Sequence, residues 1–161
     1  MRALVVGRFQ PLHKGHLALL QRAREECVDV VVAIGSTQGK PSPRNPFSFD
    51  ERKAMLQAAL PGIQVYDVPD IQDATRWVAH LLAITGPIDR VYGNDSSWLA
   101  LFEQAHLPVV QPGLVDRDHY EATTIRRQMV EDDPAWRKAV PDPVVKLLDG
   151  WKAPRRMMLL A

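Results

Sequence analysis

The alternation of short apolar runs with amphipathic segments constrains the fold of this chain more than any other feature. The run "VDVVVAI" at Val28–Ile34 is apolar almost throughout, and such runs are typical of strands covered on both faces. Shorter runs with the same character occur at Ala3–Val6, Ile63–Val68, Arg90–Tyr92 and Pro108–Gln111. Because helical patterns separate these runs, we predict an α/β fold with a mostly parallel sheet and helices on both faces.

The predicted helices have recognisable starts and stops. Ser48 followed three residues later by Glu51 matches a capping box, and Pro61-Gly62 ends the same helix. Ligands of such sheets bind beyond the carboxyl ends of the strands, so we expect chemistry in the loops at 7–16, 35–47, 69–73, 93–97 and 112–123. The predicted helices are Gly15–Glu26, Ser48–Leu60, Ala74–Ile84, Ser96–Ala105, Thr124–Glu131 and Pro141–Asp149.

Length and charge indicate the class of protein. The 161 residues suit one domain, residues 1–161. A net charge of +1 does not indicate binding to nucleic acid or to a membrane. Cys27 is the single cysteine and cannot form an internal disulfide, and Arg8 interrupts the first apolar run too early for a signal peptide. No apolar run is long enough to span a bilayer, so we expect a cytoplasmic protein.

The loop after the first strand combines the parts of a phosphate site. It reads "GRFQPLHKGHL" and places His13 and His16 three residues apart around Gly15. A helix start offers free N–H groups and a partial positive charge, and a glycine lets a phosphate approach the backbone closely. Taken singly, each histidine is an ordinary loop or helix-start residue. Together, the two can donate to one ligand from the first helical turn.

These residues resemble a known family. "GRFQPLHKGHL" is similar to the H-x-G-H nucleotidyltransferases, and "GRFQP" resembles the archaeal-type nicotinamide mononucleotide (NMN) adenylyltransferases in particular. The resemblance implies a Rossmann-like fold of the nucleotidyltransferase type, ATP and NMN as substrates, Mg²⁺ bound with ATP, and a homo-oligomer. It implies that the AMP moiety of ATP is transferred to the 5′-phosphate of NMN, giving NAD and pyrophosphate. The sequence shows no dedicated metal site, so we expect the triphosphate to supply most of the ligands of Mg²⁺. The residues implied for catalysis or phosphate binding are His13, His16, Arg8, Arg126, Gly7, Phe9, Lys14 and Gly15.

The loop after the second strand extends the resemblance. It reads "GSTQGKPSPRNPFSFDER", and the family pattern is G-S-x-Q followed by N-P-F and E-R. The loop is rich in Pro, Gly and Ser and carries Lys40 and Arg44, so it could bring positive charge to anionic substrates. Asn45 is the residue we expect on the NMN side. The resemblance assigns substrate binding to Gly35, Ser36, Gln38, Asn45 and Phe47.

Two further segments resemble substrate-binding regions of the family. In "VPDIQDATRWVAHL", Trp77 matches a tryptophan expected to stack on the cationic nicotinamide ring. The alternative is that Trp77 is a core aromatic. Asp70 is expected to bond the carboxamide or the ribose. In "VYGNDSSW", Asn94 is expected on the adenosine side.

A second phosphate motif lies near the end of the chain. "YEATTIRRQM" resembles S-G-T-E-I-R-R, with Arg126 facing a phosphate and either Thr123 or Thr124 capping the helix. The preceding segment matches P-x-x-x-x-R-x-x-Y through Arg117 and Tyr120, to which we assign no role. The resemblance leaves the tail, residues 151–161, unexplained.

Other functions fit the same motifs. The same transfer could use nicotinate mononucleotide, phosphopantetheine, FMN or glycerol phosphate as acceptor, but the second loop and Trp77 favour a pyridine nucleotide. A non-catalytic nucleotide sensor is the alternative from another class. The intact H-x-G-H pattern, His13 to His16, favours an enzyme.

Overall fold

The chain forms two compact units in the computed structural model, which describes residues 1–113 and 121–161. The sheet unit comprises Met1–Arg8, Leu19–Gln38 and the described part of Ile63–Leu114. The helical unit comprises Phe9–Ala18, Gly39–Gly62 and the described part of Val115–Ala161. The single domain over residues 1–161 stays a prediction. Arg117 and Tyr120 lie outside the described residues.

Parallel strands form the centre of the sheet unit. The described strands pair in the order β3-β2-β1-β4-β5, and every pair is parallel. This confirms the predicted α/β fold. The strand order reverses between β1 and β4, the kind of position beyond which ligands bind in open parallel sheets. The strand bounds are β1 Arg2–Gly7, β2 Asp29–Ile34, β3 Gln64–Asp67, β4 Arg90–Tyr92 and β5 Val109–Val110.

The helices follow the predicted pattern up to the tail. Short 3₁₀ turns occur at Ala74–Arg76 and Pro134–Ala139. The second turn and the last helix, α7, were not predicted. Each has a proline in its first turn, where the missing N–H costs nothing. The helices are α1 Lys14–Glu26, α2 Phe49–Ala59, α3 Trp77–Thr85, α4 Ser96–Gln104, α5 Ala122–Val130, α6 Asp142–Gly150 and α7 Ala153–Leu160. No described helix has the length and apolarity needed to cross a membrane.

The core of the sheet unit lies between the strands and the helices that follow them. Leu4, Val31 and Val91, from neighbouring strands, are fully buried and pack with residues of α3 and α4. Val28, predicted as the first strand residue, is 98% exposed. The strand begins one residue later because its ladder with β1 begins at the pair Arg2–Asp29.

The helical unit has its own apolar core. The helices α5 and α7 pack together, as do α2 and α6, and the 3₁₀ turn at Pro134–Ala139 packs on α5. Each helix contributes fully or almost fully buried side chains, namely Met55, Ile125, Met129, Val144 and Met157. The tail is therefore a docked helix, since Met157 lies in it.

Arg2 stabilises the amino-terminal edge of the sheet unit. Its guanidinium donates to the carbonyl oxygens of Thr85 and Pro87 and, at 3.1 Å, to the Asp29 carboxylate. Thr85 is the last residue of α3. The carbonyl groups in the last turn of a helix have no N–H partner within that helix. One side chain thus joins β1, β2 and the end of a helix.

We expect Arg2→Met to lower the free energy of unfolding by about 1–3 kcal/mol, because it leaves the part-buried carbonyl group of Thr85 without this donor. Urea denaturation monitored by circular dichroism measures this change. Arg24→Met removes an exposed arginine from the last turn of α1 and is the control, with an expected change within about 0.5 kcal/mol. Equal losses in the two variants would contradict the role of Arg2.

Candidate functional site

The two histidines cap the start of α1 reciprocally. His13 Nδ1 accepts hydrogen bonds from the backbone N–H groups of Gly15 at 3.1 Å and His16 at 3.3 Å. In return, His16 Nδ1 accepts from the backbone N–H of His13 at 3.1 Å. The arrangement is a capping box in which imidazoles replace the usual hydroxyl and carboxylate. Because both Nδ1 atoms accept, the proton of each neutral ring is on Nε2.

The environment keeps both imidazoles neutral. The rings of His13 and His16 stack with centroids 3.6 Å apart, and the buried Phe9 ring lies 4.8 Å from His16. Burial lowers the pKa of His13 from 6.5 to about 4. Burial, and then the neighbouring His13, lower the pKa of His16 well below 6.5. At neutral pH the pair therefore offers two Nε2–H donors without carrying charge.

The backbone at this helix start differs from the expectation. The sequence predicts free N–H groups for a phosphate, but the N–H groups of Gly15 and His16 donate to His13. The physical reason is that the imidazole of His13 reaches its own first helical turn. Lys14, the first residue of α1, is exposed.

Gln10 joins three segments of the helical unit and was not predicted as a site residue. Its side-chain amide donates to the Phe47 carbonyl oxygen at 3.1 Å and accepts from the Phe47 N–H at 3.0 Å. Its backbone carbonyl accepts from Arg126 Nη1 at 2.8 Å. Gln10 is only 2% exposed. The structure thus places the predicted phosphate ligand Arg126 directly against the segment that carries the histidines.

The start of α5 corrects the prediction for the two threonines. The helix begins at Ala122, and Glu121 occupies the N-cap position with extended backbone and no side-chain capping bond. Thr123 and Thr124 lie inside the first turn, so neither is the cap. The helix begins directly after Glu121, so both threonines lie beyond the N-cap position. Both remain near the positive end of the helix dipole.

The sheet unit brings together four of the predicted substrate residues. Ser36 Oγ donates to Asp70 Oδ2 at 3.1 Å, and Gln38 Nε2 donates to the Asp70 carbonyl oxygen at 2.8 Å. A Cβ on Gly35 would lie 3.9 Å from Asp70 Oδ1. The Gly35 N–H donates to the carbonyl oxygen of Gly7 at 3.1 Å, which ties β1 to the same cluster.

The N-P-F segment belongs to the helical unit. The backbones of Asn45 and Ser42 exchange two hydrogen bonds, of 3.1 and 3.2 Å. The side-chain oxygen Asn45 Oδ1 is buried and has no hydrogen-bond partner among the described residues. Such an atom suits a donor from a ligand. Phe47 is 2% exposed, so its ring is part of the interior.

Other predicted residues have structural neighbours of their own. Trp77 is partly buried at the first position of α3, with its ring edge-on to Phe102 at 5.5 Å. Asn94 Oδ1 accepts from the Gly113 N–H at 3.0 Å and so joins the loops after β4 and β5. Arg8 is exposed directly after β1. The ring of Trp77 therefore packs edge-on against Phe102 while the residue stays partly exposed.

The described ranges, 1–113 and 121–161, contain no group of three or more His, Cys, Asp or Glu placed to hold a metal ion. The residues in these ranges therefore do not fit a metal held by protein ligands alone. A divalent ion would need oxygen ligands from a bound nucleotide.

Comparison with known proteins identifies the family. The family model for cytidylyltransferase-like proteins matches residues 4–128. A nicotinamide-nucleotide adenylyltransferase of Methanolobus tindarius is 37% identical over 152 residues, which cover 92% of this chain and 87% of that protein. Proteins of the same name from Methanothrix thermoacetophila and Ignicoccus hospitalis are 36% and 35% identical. These matches cover 97% and 100% of this chain, and 94% and 98% of those proteins.

Solved structures share the fold. A bifunctional NMN adenylyltransferase/ADP ribose pyrophosphatase of Francisella tularensis, complexed with AMP and a Mn ion, gives a TM-score of 0.71 at 21% identity. Thermotoga maritima TmcAL, bound with alpha-thio ATP, gives 0.73 at 15%. The matches cover 99% and 96% of this chain, which spans only 51% and 56% of theirs. The solved structures show the fold alone. The family model and the full-length relatives show that the chain belongs to the cytidylyltransferase-like family, among the archaeal-type nicotinamide-nucleotide adenylyltransferases.

Proposed function

We propose that this protein transfers the AMP moiety of ATP to the 5′-phosphate of NMN, giving NAD and pyrophosphate. The observation that carries the proposal is the reciprocal capping box of His13 and His16, which leaves two neutral Nε2–H donors at a helix start. The relatives that share the chain almost end to end are named for this activity.

The chemistry is a direct displacement. An oxygen of the NMN 5′-phosphate forms a bond to the α-phosphorus of ATP, and the bond from that phosphorus to the β-phosphate oxygen breaks. Pyrophosphate leaves with the electron pair, and no covalent enzyme intermediate is needed. Catalysis of such a step rests on alignment of the two anions and on stabilisation of developing charge.

We assign the phosphate side of the reaction to the histidine pair and to three positively charged side chains. His13 and His16 donate from Nε2 to the phosphates, and His16 follows the charge that develops at the α-phosphate. Arg126, which donates to the Gln10 carbonyl oxygen, stabilises the negative charge of the β- and γ-phosphates. Arg8 and Lys14, both exposed, do the same. The resemblance also assigns Gly7, Phe9, Gly15, Thr123 and Thr124 to binding on this side.

The acceptor side follows the second loop and the P-D-I segment. The carboxylate of Asp70, oriented by Ser36, accepts from the carboxamide or from a ribose hydroxyl. The buried Oδ1 of Asn45 accepts from NMN, and Trp77 stacks on the nicotinamide ring. The resemblance also assigns to substrate binding Gly35 and Gln38 of the sheet unit and Phe47 of the helical unit, whose ring is interior. It assigns Asn94 to the adenosine side.

The substrate is expected to be MgATP, with the metal held mainly by the triphosphate. A neighbour crystallised with AMP and a Mn ion supports the use of a divalent metal. We also propose that the protein is a cytoplasmic homo-oligomer without nucleic-acid or membrane partners.

The first experiment measures pyrophosphate release from MgATP with NMN, nicotinate mononucleotide, phosphopantetheine and FMN as parallel acceptors. We expect rapid release with NMN alone. Release with another acceptor instead would keep the chemistry and overturn the assignment of the acceptor. Binding of ATP without release in any reaction would favour the nucleotide sensor.

His16→Ala is expected to reduce kcat by about 10²–10⁴-fold while the dissociation constant for ATP changes far less, because its donor acts on developing charge. His16→Asn keeps an acceptor near the position of Nδ1 and separates the capping role from the chemical role. We expect it to restore stability but not turnover. His106→Asn, at an exposed histidine, is the control. Equal losses in turnover and ATP affinity would contradict the assignment.

The buried histidines predict a stability change at acid pH. The folded-state pKa of His13 is about 4, below the unfolded value near 6.5, so the unfolded chain binds more protons between these values. Stability therefore falls as the pH decreases from 6.5 to 4, by about 3 kcal/mol from His13. Urea denaturation as a function of pH measures the change, and His13→Asn should reduce it. An NMR titration of His13 near pH 6.5 would contradict this prediction.

A further inference from the structure

The unexplained tail makes its most extensive polar contacts through Arg156. This residue lies on α7, which is held by the buried side chains of Ala153 and Met157. Arg156 donates in a bidentate manner to Glu51, with Nη1–Oε1 and Nη2–Oε2 distances of 2.7 and 2.8 Å. The two side chains are only 29% and 21% exposed, so the pair is shielded from solvent more than an ordinary surface ion pair.

The same guanidinium also contacts the segment before α2. Arg156 Nη1 lies 3.3 Å from the Pro46 carbonyl oxygen, and its Cζ lies 5.4 Å above the ring of Phe47. Glu51 in turn accepts from the Ser48 N–H at 3.0 Å as part of the capping box. Arg156 therefore contacts residues on both sides of the α2 N-cap: the N-P-F segment before it and Glu51 in the first helical turn.

The contacts continue to the residues assigned to phosphate binding. Both backbone groups of Phe47 are bonded to the side chain of the buried Gln10. The Gln10 carbonyl oxygen receives Arg126, and the adjacent Phe9 packs on His16. Every step of this path lies within the helical unit and is a direct contact.

We propose that Arg156 is a positioning residue for adenylyl transfer: through Phe47 and Gln10 it fixes the place of Arg126 relative to the phosphates. This inference rests on the proposed function. Arg156 itself touches no substrate. Its effect arises because a displacement of a catalytic group by about 1 Å can reduce a rate a hundredfold. A methylene stem alone cannot replace the fork that binds Glu51.

The test compares Arg156→Met with Arg137→Met. Arg137 forms a second bidentate pair, with Asp149 at 2.7 and 2.8 Å, and its guanidinium lies 4.6 Å from the Trp136 ring rather than against the N-P-F segment. We expect Arg156→Met to reduce kcat about tenfold or more, with a change in the KM for ATP below about threefold. Arg137→Met should retain wild-type kinetics. Arg156→Lys keeps the charge without the fork and should recover only part of kcat.

Coupling to Gln10 distinguishes positioning from general stability. Gln10→Met removes the bonds to Phe47, so the double variant with Arg156→Met should be little slower than the slower single variant. Hydrogen exchange gives a readout without turnover: Arg156→Met should reduce protection of the Phe47 N–H, and Arg137→Met should not. Multiplicative rate losses, or unchanged protection of Phe47, would overturn the inference.

The two proposals fail separately. If the wild-type protein released no pyrophosphate with any of the acceptors, the proposed function would fail. The path from Arg156 would then be judged by the exchange of Phe47 alone. If the wild-type protein were active and Arg156→Met behaved like Arg137→Met, only the positioning role would be lost.

Discussion

The reciprocal hydrogen bonds between His13 and His16 link helix formation to chemistry. An isolated helix start leaves several N–H groups without partners, and here two imidazoles satisfy part of that demand. The same bonds require lone pairs on both Nδ1 atoms and so place the protons on Nε2. Burial adds a second constraint, because it lowers the pKa of both rings. The stability of α1 and the donor pattern of the site therefore depend on the same protonation state.

Much of the fold could be predicted because its determinants are local. The apolar strands, the capping box at Ser48 and the spacing of the two histidines are visible in short windows of sequence. The parallel pairing then follows from strand–helix alternation. Local patterns do not give exact starts, which is why the strand at Val28 and the threonine cap were misplaced.

The long-range polar contacts could not be predicted in this way. Gln10 bonds a segment 37 residues away, and Arg156 reaches Glu51 across 105 residues. The residues that neighbour Gln10 and Arg156 in sequence do not indicate the partner of either side chain. A glutamine among apolar residues signals only that a partner must exist once it is buried. The site residues recognised from motifs are therefore those that act locally, while those that hold them in place emerge only from the tertiary structure.

Glu51 restricts the substitutions that evolution or a designer can make at one position. A capping box accepts either Glu or Gln at this place. Here the carboxylate also accepts hydrogen bonds from both Nη1 and Nη2 of Arg156, which requires two acceptor oxygens. Glutamine would offer one oxygen and a second donor, placed against a cation. An ordinary helix start permits two residue types at this position, but this chain permits only Glu51. The restriction comes from Arg156, a residue of the last helix.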